Sequence, residues 1–145
     1  MSKTKFLVIS GTNSNLVVGR EAFECDSWQN IHAALDVTAS HLGIAVDCHQ
    51  FSHKDDIVDC LRRAPEQYAG VVINAAGMTD YGDALRNAIG SMLLPCVEVF
   101  DSGAHKLEDS GHNSVIAAVC LGVIGGFGQQ SYILALQALV HLSEQ

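Results

Sequence analysis

The residues of this chain that could do chemistry fall in three polar stretches, each following an apolar run. The longest is Gly11-Thr-Asn13-Ser-Asn15-Leu-Val-Val-Gly19-Arg20-Glu21, and Cys25 lies five residues after Arg20. A nearby guanidinium lowers a thiol pKa and favours the thiolate, so Arg20 and Cys25 read together as a base or a nucleophile. A structureless segment of about fifteen residues in a compact domain is usually functional. At the carboxyl end of the first strand of an α/β sheet it would lie where ligands bind. An ordinary surface loop is the plain alternative. The second stretch opens at Asn74, a polar residue that ends an apolar run, and continues to Thr79-Asp80-Tyr81-Gly82. The third is Asp101-Ser102-Gly103-Ala104-His105.

Other chemistries have weaker support. Gly126-Phe-Gly128-Gln-Gln-Ser131 invites a dinucleotide reading, but the third glycine is missing and no acidic residue stands at the usual distance. Tight strand–helix packing is the better reading there. The Gly11–Gly19 segment lacks the Gly-Lys-Ser/Thr ending of a phosphate loop. His49 and His53 straddle a strand end and a helix start, so they would not share a helical face. His105 and His112 flank a loop with Asp101 and Asp109, and a metal there stays an alternative. Scattered surface histidines are the commoner case, so no metal and no cofactor is expected. A serine-hydrolase reading lacks its Gly-x-Ser-x-Gly elbow.

The elements that must position these groups follow from periodicity and breakers. Phe6 to Ile9 is a buried strand bounded by Ser10-Gly11. Asp26 or Ser27 can cap a helix over 28–42, with Ile31, Ala34, Leu35 and Val37-Thr38 near helical period and Gly43 as its stop. A second strand covers 44–48. A helix opens at His53-Lys54-Asp55-Asp56, buries Ile57, Cys60, Leu61 and Ala64, and ends at Pro65. A third strand covers 70–74, and Asp83 caps a helix through Ile89. The fourth strand is 95–100, the fifth 117–125, and an apolar helix over 130–142 closes the chain. This alternation predicts a three-layer α/β domain over 1–145: a flavodoxin-like, doubly wound, five-stranded parallel sheet in the order 2-1-3-4-5.

Composition bounds the partners. At 145 residues and 48% hydrophobic content the chain can bury one real core. A formal net charge of −8, with only eight Lys and Arg, argues against nucleic acid or an anionic membrane as partner. No apolar segment approaches a membrane span. The apolar run after Met1-Ser-Lys-Thr-Lys breaks at Gly11, which favours a strand over a signal peptide. Five cysteines, Cys25, Cys48, Cys60, Cys96 and Cys120, are odd in number and lack CxxC spacing, which fits a reducing cytoplasm. All but Cys25 sit in apolar patterns and read as core.

Over nearly its whole length the sequence resembles the type II 3-dehydroquinate dehydratase family. Gly11-Thr-Asn13-Ser-Asn15-Leu-Val-Val-Gly19-Arg20-Glu21 is similar to the family's Gly-Pro-Asn-Leu-Asn-Leu-Leu-Gly-x-Arg-Glu. Val71-Val-Ile-Asn74-Ala-Ala-Gly-Met-Thr79 resembles Val-Ile-Asn-Pro-Gly-Ala-Tyr-Thr. Ala84-Leu-Arg86 and Pro95-Cys-Val-Glu98-Val99 fit the helix and strand that follow. Gly122-Val-Ile-Gly-Gly126-Phe-Gly128-Gln-Gln-Ser-Tyr132 is similar to Gly-Val-Ile-x-Gly-Phe-Gly-x-x-Gly-Tyr. The resemblance implies removal of water from a cyclic keto-hydroxy acid through an enolate. In the family a tyrosine activated by an arginine takes the proton, an asparagine-bound water supports the enolate, and a histidine protonates the leaving hydroxyl. It also implies a homo-oligomer, trimer or dodecamer, with a small-molecule substrate.

Carried over position by position, the resemblance assigns Asn13 to the water, Arg20 to activation, and Asn74 and Ser102 to the substrate carboxylate. Cys25 stands where the base tyrosine belongs. Phe100 stands where the proton-donor histidine belongs, with Asp101 and Ser102 directly after it. Asp80 replaces a second histidine, Gly111 a later arginine, and Asn87 an acidic residue that reaches across a trimer contact. The binding frame is kept while the acid and base groups differ. Three expectations follow. The first is a diverged lyase using Asn13, Arg20 and Cys25, with Asn74, Asp80, Asp101 and Ser102 holding a small carboxylate or carbonyl compound and little ordinary dehydroquinase activity. The second is a non-catalytic ligand-binding or scaffold paralogue. The third is a genuine 3-dehydroquinate dehydratase in which Asp80, Tyr81 or His105 stands in.

Overall fold

The computed structural model describes residues 4–11, 28–75, 82–100 and 116–144. The strands are β1 (Lys5–Gly11), β2 (Ala45–Phe51), β3 (Gly70–Asn74), β4 (Cys96–Phe100) and β5 (Gly122–Gly125). The helices are α1 (Trp28–Leu42), α2 (Lys54–Arg63), α3 (Gly82–Met92) and α4 (Gln129–Ser143). Every strand pairing is parallel, in the order β2-β1-β3-β4-β5. This is the flavodoxin-like order that the alternation of elements predicts.

Both faces of the sheet are covered, which is why the central strands are apolar throughout rather than alternating. Leu7 and Ile9 of β1 and Val71 and Ile73 of β3 face Ile57 and Leu61 of α2 and Leu85 and Ile89 of α3. Phe6, Val8, Val72, Val97 and Val99 point the other way, toward Ile31 and Leu35 of α1 and Tyr132, Leu136 and Leu139 of α4. Alternation along each strand therefore feeds two cores at once.

Helix ends follow local chemistry. Asp55 and Asp56 open α2, and Arg62 and Arg63 close it, each charge complementing the helix dipole. At the end of α1, Gly43 takes φ 73°, its N–H bonds to Ser40 O at 3.3 Å, and the Ile44 N–H bonds to Ala39 O at 3.0 Å. That pair of bonds is a Schellman termination, which needs the left-handed conformation glycine adopts freely.

Several expectations shift. The predicted fifth strand is shorter: Ala117–Val119 forms a 3-10 turn and only Gly122–Gly125 joins the ladder. An apolar run alone does not separate the two. Helix α3 begins at Gly82 and runs to Met92, so Asp83 sits in its first turn rather than capping it. Strand β2 extends to Phe51, and Pro65 lies in a 3-10 turn, Ala64–Glu66, that follows α2. On α1 the buried residues are Ile31, Leu35 and Ala39, while Val37 faces solvent. Of the cysteines read as core, Cys96 is buried and Cys48, Cys60 and Cys120 are half-buried.

Leu93 occupies, after α3, the place Gly43 occupies after α1. Its φ is 62° and its side chain is 90% exposed, so it bears the steric cost of the left-handed region with little packing in return. Leu93→Gly should therefore stabilise the fold by about 0.5–1 kcal/mol, the relief of strain exceeding the added freedom of the unfolded chain. Chemical denaturation checks this, and a lower midpoint for the variant would contradict it.

Candidate active site

The winding of the chain reverses between β1 and β3, which lie side by side with β2 beyond one and β4 beyond the other. The carboxyl ends of strands at such a reversal are where open parallel sheets take ligands. The register there places Ser10 of β1 directly beside Asn74 of β3. Both point to the α1/α4 side, at the end of the row formed by Phe6, Val8 and Val72.

These two polar side chains are buried, with 6% and 3% of their surfaces exposed. They are joined by Tyr132 from the first turns of α4, itself only 1% exposed. Asn74 Nδ2 donates to Tyr132 Oη at 2.8 Å. The Tyr132 hydroxyl donates to Ser10 Oγ at 3.4 Å, and Ser10 Oγ approaches the Gly11 carbonyl at 3.5 Å. The first bond is at full strength and the other two are long. The Trp28 ring stands edge-on to Tyr132, with centroids 6.2 Å apart at 66°. Trp28 opens α1, so the residue that follows the 12–27 segment packs on the tyrosine that holds the strand ends.

The path into α4 explains the glycines. Gly126 has φ 91° and Gly128 φ 58°, conformations that L side chains rarely adopt. The Phe127 N–H bonds to Ser131 Oγ at 3.1 Å across this turn. Close approach accounts for Gly125, where an added Cβ would sit 3.0 Å from Phe100 Cβ. Phe100, the last residue of β4, thus lies against the end of β5. Its ring has no proton to give or take.

Of the residues expected to form the site, Asn74 is described and sits at the strand reversal. Asn13, Arg20, Cys25, Asp80, Asp101 and Ser102 lie outside the described residues, as do Tyr81 and His105. The segments that carry them start where the described strands end: 12–27 follows Gly11, 76–81 follows Ala75, and 101–115 follows Phe100. Those are the carboxyl ends of β1, β3 and β4, three adjacent strands about 4.8 Å apart. Ser10 and Tyr132 join Asn74 at this candidate site, and neither was expected there. Ser10 had one available signal, a hydroxyl ending the apolar run Phe6 to Ile9. Tyr132 had its place in the stretch Gly122 to Tyr132 that resembles the family, but nothing pointed to its partner Asn74, 58 positions away.

Among the described residues no group of three or more His, Cys, Asp and Glu could hold a metal ion. None of their helices is long and apolar enough to cross a membrane. Burial, then the charges of Asp36 and Asp47, push the Cys48 thiol up to about 12. Burial also raises Cys60. Cys96 is raised well above its ordinary value by its hydrogen bond with Cys120, by burial, and by the charge of Glu98.

Residues 4–140 match the family model described as dehydroquinase class II. The 3-dehydroquinate dehydratase of Halothermothrix orenii is 40% identical over 137 residues, 93% of this chain and 93% of that one. That of Acaryochloris marina is 37% identical over 143 residues, 97% of this chain and 96% of its own. The crystal structure of a type II dehydroquinase from Butyrivibrio crossotus has a TM-score of 0.84 at 31% identity, covering 94% of this chain and 97% of the other.

The raised thiols make a sharp expectation for Cys25. Cys48, Cys60 and Cys96 should hold almost no thiolate near neutral pH, whereas a thiol near Arg20 is favoured as thiolate. Iodoacetamide at pH 7 should label Cys25 first, and Arg20→Ala should slow that labelling by about tenfold for each unit its pKa rises. Mass spectrometry showing equal labelling of all five cysteines, or no effect of Arg20→Ala, would leave Cys25 without a special role.

Proposed function

The chain belongs to the class II dehydroquinase family, and on that premise we propose that it is a carbon–oxygen lyase, one domain over 1–145, that removes water from a small cyclic hydroxy-keto acid. The first substrate to try is 3-dehydroquinate, the compound named for the relatives. The observation that carries this reading is Asn74. Its carboxamide is held by a buried hydrogen bond at the reversal between β1 and β3, in the place the resemblance gives to a substrate-holding asparagine.

In this reading Asn74 and Ser102 take the substrate carboxylate, helped by backbone amides after β4. Arg20 keeps Cys25 as thiolate, and Cys25 removes a proton next to the ketone. A water held by Asn13 supports the enolate oxygen. As the enolate collapses, the carbon–oxygen bond breaks and the leaving hydroxyl takes a proton. Phe100 cannot supply that proton, so Asp80, Tyr81 or His105 does.

A second reading gains from Phe100. A ring against Gly125, where the resemblance calls for a proton donor, suits a frame that acts on a related small carboxylate or carbonyl compound, or one that only binds it. Losing a general acid or base typically costs about 10²–10⁴-fold. Under the lyase reading, 3-dehydroquinate should bind and turn over below the usual enzyme range of about 1–10³ s⁻¹, and Phe100→His should raise the rate. Turnover within that range would mean the stand-in donor is fully effective. Binding without turnover, in the wild type and in Phe100→His alike, would favour the non-catalytic role, and no binding would favour another substrate.

For assembly we infer a homo-oligomer, trimer or dodecamer, without nucleic acid or membrane as partner. The exposed Leu121, Val123 and Phe127 support it, since they leave apolar surface to cover in and around β5. Light scattering should give a mass at or above a trimer, and a monomer at micromolar concentration would overturn the assembly.

A further inference from the structure

We propose that Tyr132 is a positioning residue for the ligand edge, fixing the orientation of the Asn74 carboxamide while Ser10 fixes Tyr132. This deepens, and rests on, the reading of Asn74 as a residue that holds the substrate. The terminal torsion of an asparagine is broad and roughly two-fold, so a carboxamide at a strand end has no preferred plane of its own. Here one of its two amide protons is committed to Tyr132 Oη at 2.8 Å. The tyrosine hydroxyl is turned toward Ser10 Oγ, 3.4 Å away, in a long bond. The contacts thus form a chain from Asn74 to Tyr132 to Ser10 to the Gly11 carbonyl, with its one short bond at Asn74.

The surroundings make the hydroxyl the informative part of this side chain. Tyr132 lies among Val8, Val72, Leu136 and Trp28 in the core between the sheet and helices α1 and α4. Phenylalanine would fill that space with the same ring and without a buried hydroxyl, which costs free energy unless it is hydrogen-bonded. The position therefore gains from tyrosine through the bonds the hydroxyl makes, and two of them reach the two strand ends of the reversal. The T-shaped contact with Trp28 restricts the ring, so the hydroxyl is aimed before any ligand arrives. Preorganisation of this kind lowers the ordering cost of binding rather than adding a contact to the ligand.

The test uses the full chain with Tyr132→Phe and Ser10→Ala. In nuclear magnetic resonance spectra of the free protein, the Asn74 side-chain amide, identified by its loss in Asn74→Ala, should shift and exchange faster with solvent in Tyr132→Phe. Affinity for 3-dehydroquinate, measured by calorimetry, should fall about 3–10-fold, as expected for one lost hydrogen bond. If the wild type turns the compound over, the loss should appear in KM with kcat nearly unchanged, the sign of an interaction made equally in ground and transition states. Ser10→Ala should give the same pattern at about 2–3-fold, because it removes only the acceptor that aims Tyr132. If Tyr132→Phe fails to fold, Ser10→Ala decides by the same two measurements. An unchanged Asn74 amide in a folded Tyr132→Phe, or affinity within error of the wild type, would overturn the proposal. If the wild type does not bind 3-dehydroquinate, the substrate reading fails separately, and the amide signal alone decides the role of Tyr132.

Discussion

The parallel pairing of β1 with β3, covered by helices on both faces, is the constraint from which the site follows. Phe6 to Ile9 and Gly70 to Ile73 are buried on both sides, so polar side chains are pushed to the strand ends. The register brings two of them, Ser10 and Asn74, side by side at the carboxyl edge. Left without partners there, each would carry a desolvation cost of about 1–3 kcal/mol. Tyr132 of α4 contacts both, which ties the closing helix to the carboxyl edge of the sheet. A one-residue slip of β3 would put Ile73 beside Ser10 and turn Asn74 to the other face. The fold and the ligand edge therefore stand or fall together.

Much of the fold was legible because its causes are local. Apolar runs that end in Ser10-Gly11 or Asn74 mark buried strands, Gly43 marks a helix end, and strict alternation of elements implies a parallel sheet. The misjudged parts depend on non-local packing. Nothing within Ala117-Ala-Val119 says that it will turn rather than pair, and Val37 has helical period with the core residues yet lies on the solvent side of α1. The hydroxyl of Tyr132 is the extreme case. In an apolar helix it reads as a packing residue, and its meaning comes from two strands far away in sequence. Asn74 was legible because a strand end is itself a local feature and because it falls in a stretch that resembles the family.

For chemistry, family membership and the particular residues pull in different directions. Identity of 37–40% over most of the chain places the protein among class II dehydroquinases, and the held carboxamide of Asn74 agrees with a substrate edge at the expected place. Phe100 at the end of β4, by contrast, removes one means of moving a proton. A carboxylate-holding edge can survive such a loss, because binding and proton transfer use different groups. That separation is why affinity and turnover must be read independently for this protein.

The central claim is that ligand is held at the carboxyl ends of β1 and β3 by the Asn74 carboxamide. The most direct measurement is a crystal structure of the chain soaked with 3-dehydroquinate or a close analogue. The expected result is a ligand oxygen within about 2.7–3.2 Å of the Asn74 side chain, with the Tyr132 bond kept. A ligand seated instead in the groove of about 310 Å³ between α2 and α3, lined by Val58, Arg62, Ala88 and Met92, with Asn74 untouched, would contradict it.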